Sequence, residues 1–402
     1  MKNLKLFEGY GIESEYMIVN KSSLMIEHFT EYLLKIQNKD VLQDEIEYGD
    51  VCWSNELVDH VIEIKCNGPQ LDLKTIEQNF YQSVKMINQH LKSKNAILMP
   101  SSMHPFMDPD KDMQLWPHGQ KEVYKKYHEI FNCTGHGWSN LQSVHINLPY
   151  STEAEFERLH AAIRMVLPFV SYLSASSPAF EQKIQGVPDN RLNFYELNQK
   201  KVPSITGQVI PEPLFTFEDY HKKLKELYKD ISQYDPDKVL QHQWLNSRGA
   251  IVKFDVKAIE IRTMDIQESP YMDFSLIAFF VAWLKSLVSE SLVNLSTQRS
   301  VSTETLRSVY DQANSYTNHQ ILSEYRQLYP NHIDGENFNQ WLESLYNHLK
   351  PDILAHYHQG IELILNEGNL SKRIKKASES HSLESIYKNL TTVLNENDYF
   401  KL

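Results

Sequence analysis

Four short stretches of the chain alternate apolar and polar residues one by one: GIESEYMIV from residue 11, VIEIKC from 61, SVHINL from 143 and AIEIRT from 258. A period of two marks a strand with one face packed and the other open. Each stretch therefore predicts a strand whose isoleucines, valines and leucines point to one side. Between them lie helical periods. Leu73, Ile76, Phe80, Val84, Ile87 and Leu91 recur at three- and four-residue steps and predict a helix over about residues 72–93. A long helix is expected from about Glu153 to Leu173, a short one over KEVYKKYHEIF, and helices throughout from Tyr271 onward. AILMP reads as a further short strand, Asn67–Pro69 as the turn that closes the second strand, and RGAIVKFD with KAIEIRTMDIQ as a hairpin. Residues 181–216 are polar and irregular, and a loop of that length points to a function; the expected lid is the segment 189–213, with Arg191, Lys200 and Lys201 in it. Helices mixed with antiparallel-looking strands, without a β-α-β rhythm, predict an α+β fold. The chain has no GxGxxG or GxxxxGK[ST] loop, which speaks against Rossmann or P-loop nucleotide binding.

The alternation also sorts the charged residues. With the isoleucines packed on one face, Glu13, Glu15, Glu63 and Glu260 share the other, and His145 holds the acid's place in the third stretch. Glu13 and Glu15 are two apart, so two like charges sit side by side near the core and call for a positive partner. Carboxylate oxygens with one imidazole suit Mg2+ or Mn2+ better than zinc. Four carboxylates exceed what one Mg2+ uses, so two or more ions are expected, of the kind that neutralise charge in phosphoryl transfer. Arg262 stands two residues past Glu260 and is placed to hold a phosphate with its planar fork; Arg248, which opens the preceding strand, is a second candidate for that duty. Plainer readings stay open at this stage. An outward glutamate on a strand is ordinarily just solvated, Glu260 with Arg262 could be an ion pair of little weight, and a lone histidine is commonly a hydrogen-bonded core residue. Cys133 and His136, with His118 and His128 upstream, fit no C-x2-C zinc spacing.

Composition narrows the class. The chain has 402 residues, 41% hydrophobic and 23% charged, with a net charge of −12. Those values suit a soluble globular protein and leave no basic footprint for nucleic acid. Cys52, Cys66 and Cys133 make an odd count and no disulfide framework, so reduced thiols in the cytoplasm are expected. The longest apolar run, Phe274 to Leu284, is too short to span a bilayer, and the opening residues carry no apolar leader segment; neither a membrane nor a secretory signal is expected.

At these same residues the sequence resembles the glutamate–cysteine ligase family of the second type, the carboxylate–amine ligases with a glutamine-synthetase-like catalytic fold. The pieces that carry the resemblance run in order from about residue 7 to 290: GIESEY, ELVDHVIEI, WPHG, GHGWSNLQSVHINLPY, LPFVSYLSASSPAF, VPSITGQVIPEP, WLNSRGAIVKFD and AIEIRTMDIQESP. The resemblance implies a curved antiparallel sheet forming an active-site funnel with helices packed outside. It implies a catalytic domain over 1–298 and a helical extension over 299–402 packed on it. It also implies an ATP- and Mg2+-dependent ligase that makes a γ-glutamyl phosphate and then an amide with cysteine. Glu13, Glu15, Glu63, Glu260 and His145 match the family's metal positions, and Arg262 its phosphate-contacting arginine. Glu56 lies at the spacing of another metal-side acid, but seven residues before Glu63 it needs a bend to reach the same face. Family members often carry His-x-His where this chain has Ser143-Val-His145, which leaves the amine open: another acceptor or carboxylate, or a guanidino or carboxylate kinase on the same fold, are the alternatives. Small molecules are the expected partners, and a homo-oligomer is compatible with these features.

Overall fold

A computed structural model describes residues 3–401 apart from 38–40, 318–319 and 322. Ten strands are seen among the described residues: β1 Gly11–Asn20, β2 Glu45–Tyr48, β3 Val51–Asn55, β4 Val61–Cys66, β5 Ala96–Met99, β6 Ser143–Pro149, β7 Ala179–Phe180, β8 Lys183–Ile184, β9 Ala250–Lys253 and β10 Ala258–Asp265. Eight of them form one sheet in the order β2-β3-β4-β1-β6-β10-β9, with β5 also paired to β1. Every pairing in it is antiparallel. β6 takes Gly11–Ser14 of β1 and β5 takes Met17–Asn20, so the two share one edge of β1 while β4 holds the other. The four alternating stretches are thus β1, β4, β6 and β10, four adjacent strands.

Because the period is two, the pairing fixes which residues share a face. Ile12 faces Ile146, Ile146 faces Ile261, and Ile62 lies opposite Tyr16; all are buried on one side. Against that side pack the helices Leu73–Leu91, Glu153–Ser174 and Pro270–Val288. The first buries Ile76, Phe80, Val84, Ile87 and Leu91, the stripe read from the sequence, and Phe80 meets Phe274 of the third edge-on with ring centres 5.6 Å apart. Asp72, Thr152 and Ser269 cap the three helices by accepting a backbone N–H in the first turn, each worth about 1 kcal/mol. Pro270–Val288 has the length and hydropathy of a membrane span, but most of it is buried inside the protein. It is a core helix.

The helices beyond residue 298 join the same core. Trp341 stacks on Phe169 at 5.3 Å and lies 5.7 Å from Trp283. The last two, Leu370–Ala377 and Leu383–Glu396, cross to the other side of the sheet, where Leu370, Ile374, Ile386, Tyr387 and Leu390 bury Met17, Val19, Val61 and Met99. That side of the sheet is therefore half sealed by helices. The other half carries the carboxylates.

Two stretches differ from the pattern read along the chain. The hairpin β2–β3 joins the sheet through a two-residue Gly49–Asp50 turn, with Gly49 at φ +64, the left-handed conformation glycine adopts without strain. Residues 181–216 are not one loop: they contain the helix Asn190–Asn198, whose N-cap Asp189 accepts from the Leu192 N–H.

Candidate active site

On the open half of the sheet the register brings the predicted acids together. Glu13 lies opposite His145 on one side and Lys65 on the other; Glu15 lies opposite Glu63; Glu260 lies opposite Asn147. His145 Nδ1 is 3.2 Å from Glu13 Oε2, and Asn147 donates to the other oxygen of Glu13 at 3.0 Å. The ligand atoms of Glu13, His145 and Glu260 all lie within 4.8 Å of one another. Glu15 accepts from both the backbone N–H and the hydroxyl of Ser143, at 2.8 and 3.1 Å, and that hydroxyl also meets His145 Nε2 at 3.0 Å. Ser143 thus joins the second acid to the imidazole. Glu63 accepts from Ser54 on the neighbouring strand at 2.6 Å.

Two lysines belong to the same face. Lys65 sits between Glu63 at 3.3 Å and Glu45 at 2.6 Å, and Lys253 between Glu260 at 2.5 Å and Glu13 at 3.6 Å. Arg262 donates from Nε to the remaining Glu260 oxygen at 2.7 Å. It sits where β10 shifts register between Ile261 and Met264, and its backbone N–H bonds to Gly249. Such a bulge re-aims a side chain out of the regular alternation.

These groups push one another's protons in opposite directions. Burial would raise the Glu13 carboxyl, but the His145 hydrogen bond and the Lys253, His145 and Lys65 charges overcome it and hold Glu13 far below the usual range. Burial likewise opposes charge on Glu260, yet Arg262, His145 and Lys253 keep its carboxyl low. His145 is raised despite its burial, by Glu13, Glu260 and Glu15. Glu63 goes the other way: burial and the Glu13 charge lift it to about 7 against Lys65 and Ser54. Glu56 is raised as well, by burial and by the charges of Glu63 and Glu15. The site holds more carboxylate than its own cations neutralise. Oxygen donors with a single imidazole, arranged this way, fit a hard divalent cation.

Above the acids opens a cavity of about 630 Å³. Glu15, Glu56, Lys65, His145, Lys253 and Arg262 line its charged side, and Tyr124, Tyr127, Trp138 and Trp244 its aromatic side. Tyr127 is the hub of that wall, with ring centres 5.3 Å from Trp138 and 5.9 Å from Trp244. Arg191 also borders the cavity; its Nε is paired with the buried Asp265 and its terminal nitrogens reach the Arg262 carbonyl at 3.4 Å.

Of the residues singled out in the sequence, Glu13, Glu15, Glu63, His145, Glu260 and Arg262 occupy one site. Glu56 joins them because β3 ends at Asn55, so the chain bends before the odd seven-residue step would send it to the far face. Arg248, the second candidate for the phosphate, is placed away from the acids. Its Nε and one terminal nitrogen grip both oxygens of Glu212, and the other terminal nitrogen donates to the Ser204 and Ile205 carbonyls and to Asn246 Oδ1. It organises the 203–212 segment instead of facing the acids. Lys200 and Lys201 are exposed, the latter over the Tyr234 ring at 4.4 Å. Among the described residues no metal-ligating cluster includes Cys133: His128 Nδ1 accepts from its backbone N–H at 3.2 Å, and its buried thiol is raised to about 12 by burial, as burial also raises Cys52 and Cys66 to about 12. Lys65 and Lys253 were missed by the sequence reading, although the two-residue step that picked out Arg262 from Glu260 picks out Lys65 from Glu63 as well. The aromatic wall had no local signal, since its members come from separate elements.

The sequence signature of glutamate–cysteine ligase family 2 spans residues 10–392 of this chain. An uncharacterized protein of Archaeoglobus fulgidus is 35% identical over 285 residues, 71% of this chain and 76% of the other. Among solved structures, the glutamate–cysteine ligase of Francisella tularensis, determined in complex with AMP, has the same fold with a TM-score of 0.66 at 13% identity, covering 96% of this chain and 88% of that one. With a match over nearly its whole length, the chain belongs to glutamate–cysteine ligase family 2 and with it to the ATP-dependent ligases that join a carboxylate to an amine.

Proposed function

We propose that this protein joins the γ-carboxylate of glutamate to the amine of cysteine at the expense of ATP, acting on small molecules in the cytoplasm. The observation that carries this is the convergence of Glu13, His145 and Glu260 within 4.8 Å beneath a cavity that Arg262 and Lys253 border. Glu13, His145 and Glu260 would hold a magnesium ion, with Glu15, Glu56 and Glu63 available to a second. Magnesium bound there supplies charge neutralisation for phosphoryl oxygens.

The chain's own residues do the rest. A carboxylate oxygen of glutamate attacks the γ-phosphorus while the bond to the ADP oxygen breaks, giving an acyl phosphate. The amine nitrogen then attacks the acyl carbon, the carbon–oxygen bond breaks, inorganic phosphate leaves, and the amine gives up a proton. Arg262, anchored through Nε on Glu260, keeps its terminal nitrogens for the transferring phosphoryl group. Arg191, fixed by Asp265, gives the cavity a second guanidinium for an anionic substrate. The aromatic wall excludes water, which would otherwise hydrolyse the acyl phosphate.

The test is phosphate release by purified protein with ATP, Mg2+ and glutamate: it should appear only when cysteine is added. Silence with every amine tried would overturn the reading. A second reading keeps the chemistry and changes the acceptor to a bulky apolar amine. Tyr124, Trp138 and Trp244 favour it, because a thiol as small as that of cysteine leaves such a wall largely uncovered. Faster ADP release with an aromatic amine than with cysteine would decide for it.

A further inference from the structure

Lys253 closes β9 and reaches over the sheet with a side chain 28% exposed. Both of its ion-pair contacts are carboxylates of the candidate cation cluster: Glu260 Oε2 at 2.5 Å and Glu13 Oε1 at 3.6 Å. Glu260 divides its two oxygens between Arg262 on Oε1 and Lys253 on Oε2. The two cations are not equivalent. Arg262 has its backbone pinned to Gly249 in the bulge and its Nε on the acid, whereas Lys253 is a compact charge on a flexible four-carbon stem that also borders the cavity. An ammonium in contact with two of the three candidate ligands repels any divalent ion that approaches them, and it occupies lone pairs that the ion needs. Without Lys253, Glu260 Oε2 would lose its ion-pair partner and Glu13 would be left with His145 and Asn147.

We propose that Lys253 is a displaceable counter-ion. In the metal-free site its ammonium neutralises Glu13 and Glu260; entry of a divalent cation expels it into the cavity, where it holds the phosphate chain of the nucleotide. Metal entry and nucleotide binding are then coupled through one side chain, each favouring the other. This rests on the reading of Glu13, His145 and Glu260 as cation ligands given above. It adds that the chain carries its own competitor for the metal.

The experiment titrates Mn2+ alone, without nucleotide, into the full chain and into Lys253→Met and Lys253→Arg, followed by calorimetry, with thermal melting to show that each variant is folded. Lys253→Met should bind Mn2+ about tenfold more tightly, because the competing charge is gone, and Lys253→Arg within about twofold of the unaltered chain, because the charge stays. With Mn2+ saturating, Lys253→Met should bind a non-hydrolysable ATP analogue about tenfold more weakly. Equal Mn2+ affinity in the unaltered chain and Lys253→Met overturns the proposal and leaves the cation cluster standing. Unchanged analogue affinity in Lys253→Met overturns the phosphate-holding half. Absence of Mn2+ binding in all three proteins overturns the cation cluster itself, and the proposal with it.

Discussion

One face of β1 reads Glu13, Glu15, Met17, Val19 in steps of two, and the change from ionic to apolar takes a single step. Glu13 and Glu15 look across at Lys65 and Glu63, Met17 at Val61 and Met99. Beyond the apolar pair the helices Leu370–Ala377 and Leu383–Glu396 seal the sheet; beyond the acids lies the cavity. Histidines mark the same divide. His145 among the acids is raised above its ordinary value, whereas His104, whose Nε2 meets the carbonyl of Leu24 in the sealed half, is pushed down to about 4 by burial. The lesson is that a strand can serve as floor and as site on one face, because hydrogen bonding along the backbone is indifferent to which side chains it carries. Rigidity comes from the sealed half and reactivity from the open one. A site built on such a strand is held to within small tolerances by backbone pairing that continues into the sealed half.

Moving the boundary should therefore do the most damage. Met17→Glu extends the acid series into the sealed half, where Val61 and Met99 lie opposite it; a buried unpaired charge costs about 3–5 kcal/mol, and denaturant unfolding should show that loss or a failure to fold. Glu260→Gln works on the other side of the line. It should lower turnover about a thousandfold, as loss of a preorganised charge does, while the unfolding midpoint stays near that of the unaltered chain; a variant that unfolds would make Glu260 a structural ion-pair member instead. The histidines give the next effect. His104 is neutral in the fold and titrates near its ordinary value of 6.5 when unfolded, so the unfolded chain binds the extra proton and stability drains as pH falls from 6.5 toward about 4. That amounts to about 3 kcal/mol at 1.36 kcal/mol per pH unit, and His104→Gln should flatten this part of a stability–pH curve. The smallest change is expected at Glu63, where burial and the neighbouring Glu13 charge already resist ionisation. Glu63→Gln keeps the Ser54 hydrogen bond and relieves the repulsion, so the melting temperature of the metal-free protein should stay level or rise by about 1–2 °C. A clear fall there would show that Lys65 depends on Glu63 more than on Glu45.

Much of the ionic half was legible because a period of two is both a structural and a chemical statement. Once Ile12, Ile62, Ile146 and Ile259 are assigned to the core, Glu13, Glu63, His145 and Glu260 have one remaining direction, whatever the order of the strands. What lay beyond reach was anything assembled across distant segments. Arg248 precedes β9 just as Arg262 ends the Glu260 step, yet Glu212, thirty-six positions away, captures it. Tyr127, Trp138 and Trp244 meet from a helix, a single helical turn and a 3-10 turn with nothing periodic linking them. The sealed half was equally silent, since Met17 and Val61 look the same whether a helix covers them or water does. The β2–β3 hairpin, in contrast, was readable and was passed over: Gly49–Asp50 between Tyr48 and Val51 is a two-residue turn signal.

The three native thiols, two of them buried, have a practical consequence. With Cys52, Cys66 and Cys133 each raised to about 12, the fraction ionised near neutral pH is minute, and the thiolate is the species that attacks maleimides and disulfides. The native thiols are therefore expected to react slowly with such reagents. One cysteine introduced on its surface, for instance in place of the exposed Leu197 on the helix that borders the cavity, would take up a fluorophore alone and report on what enters.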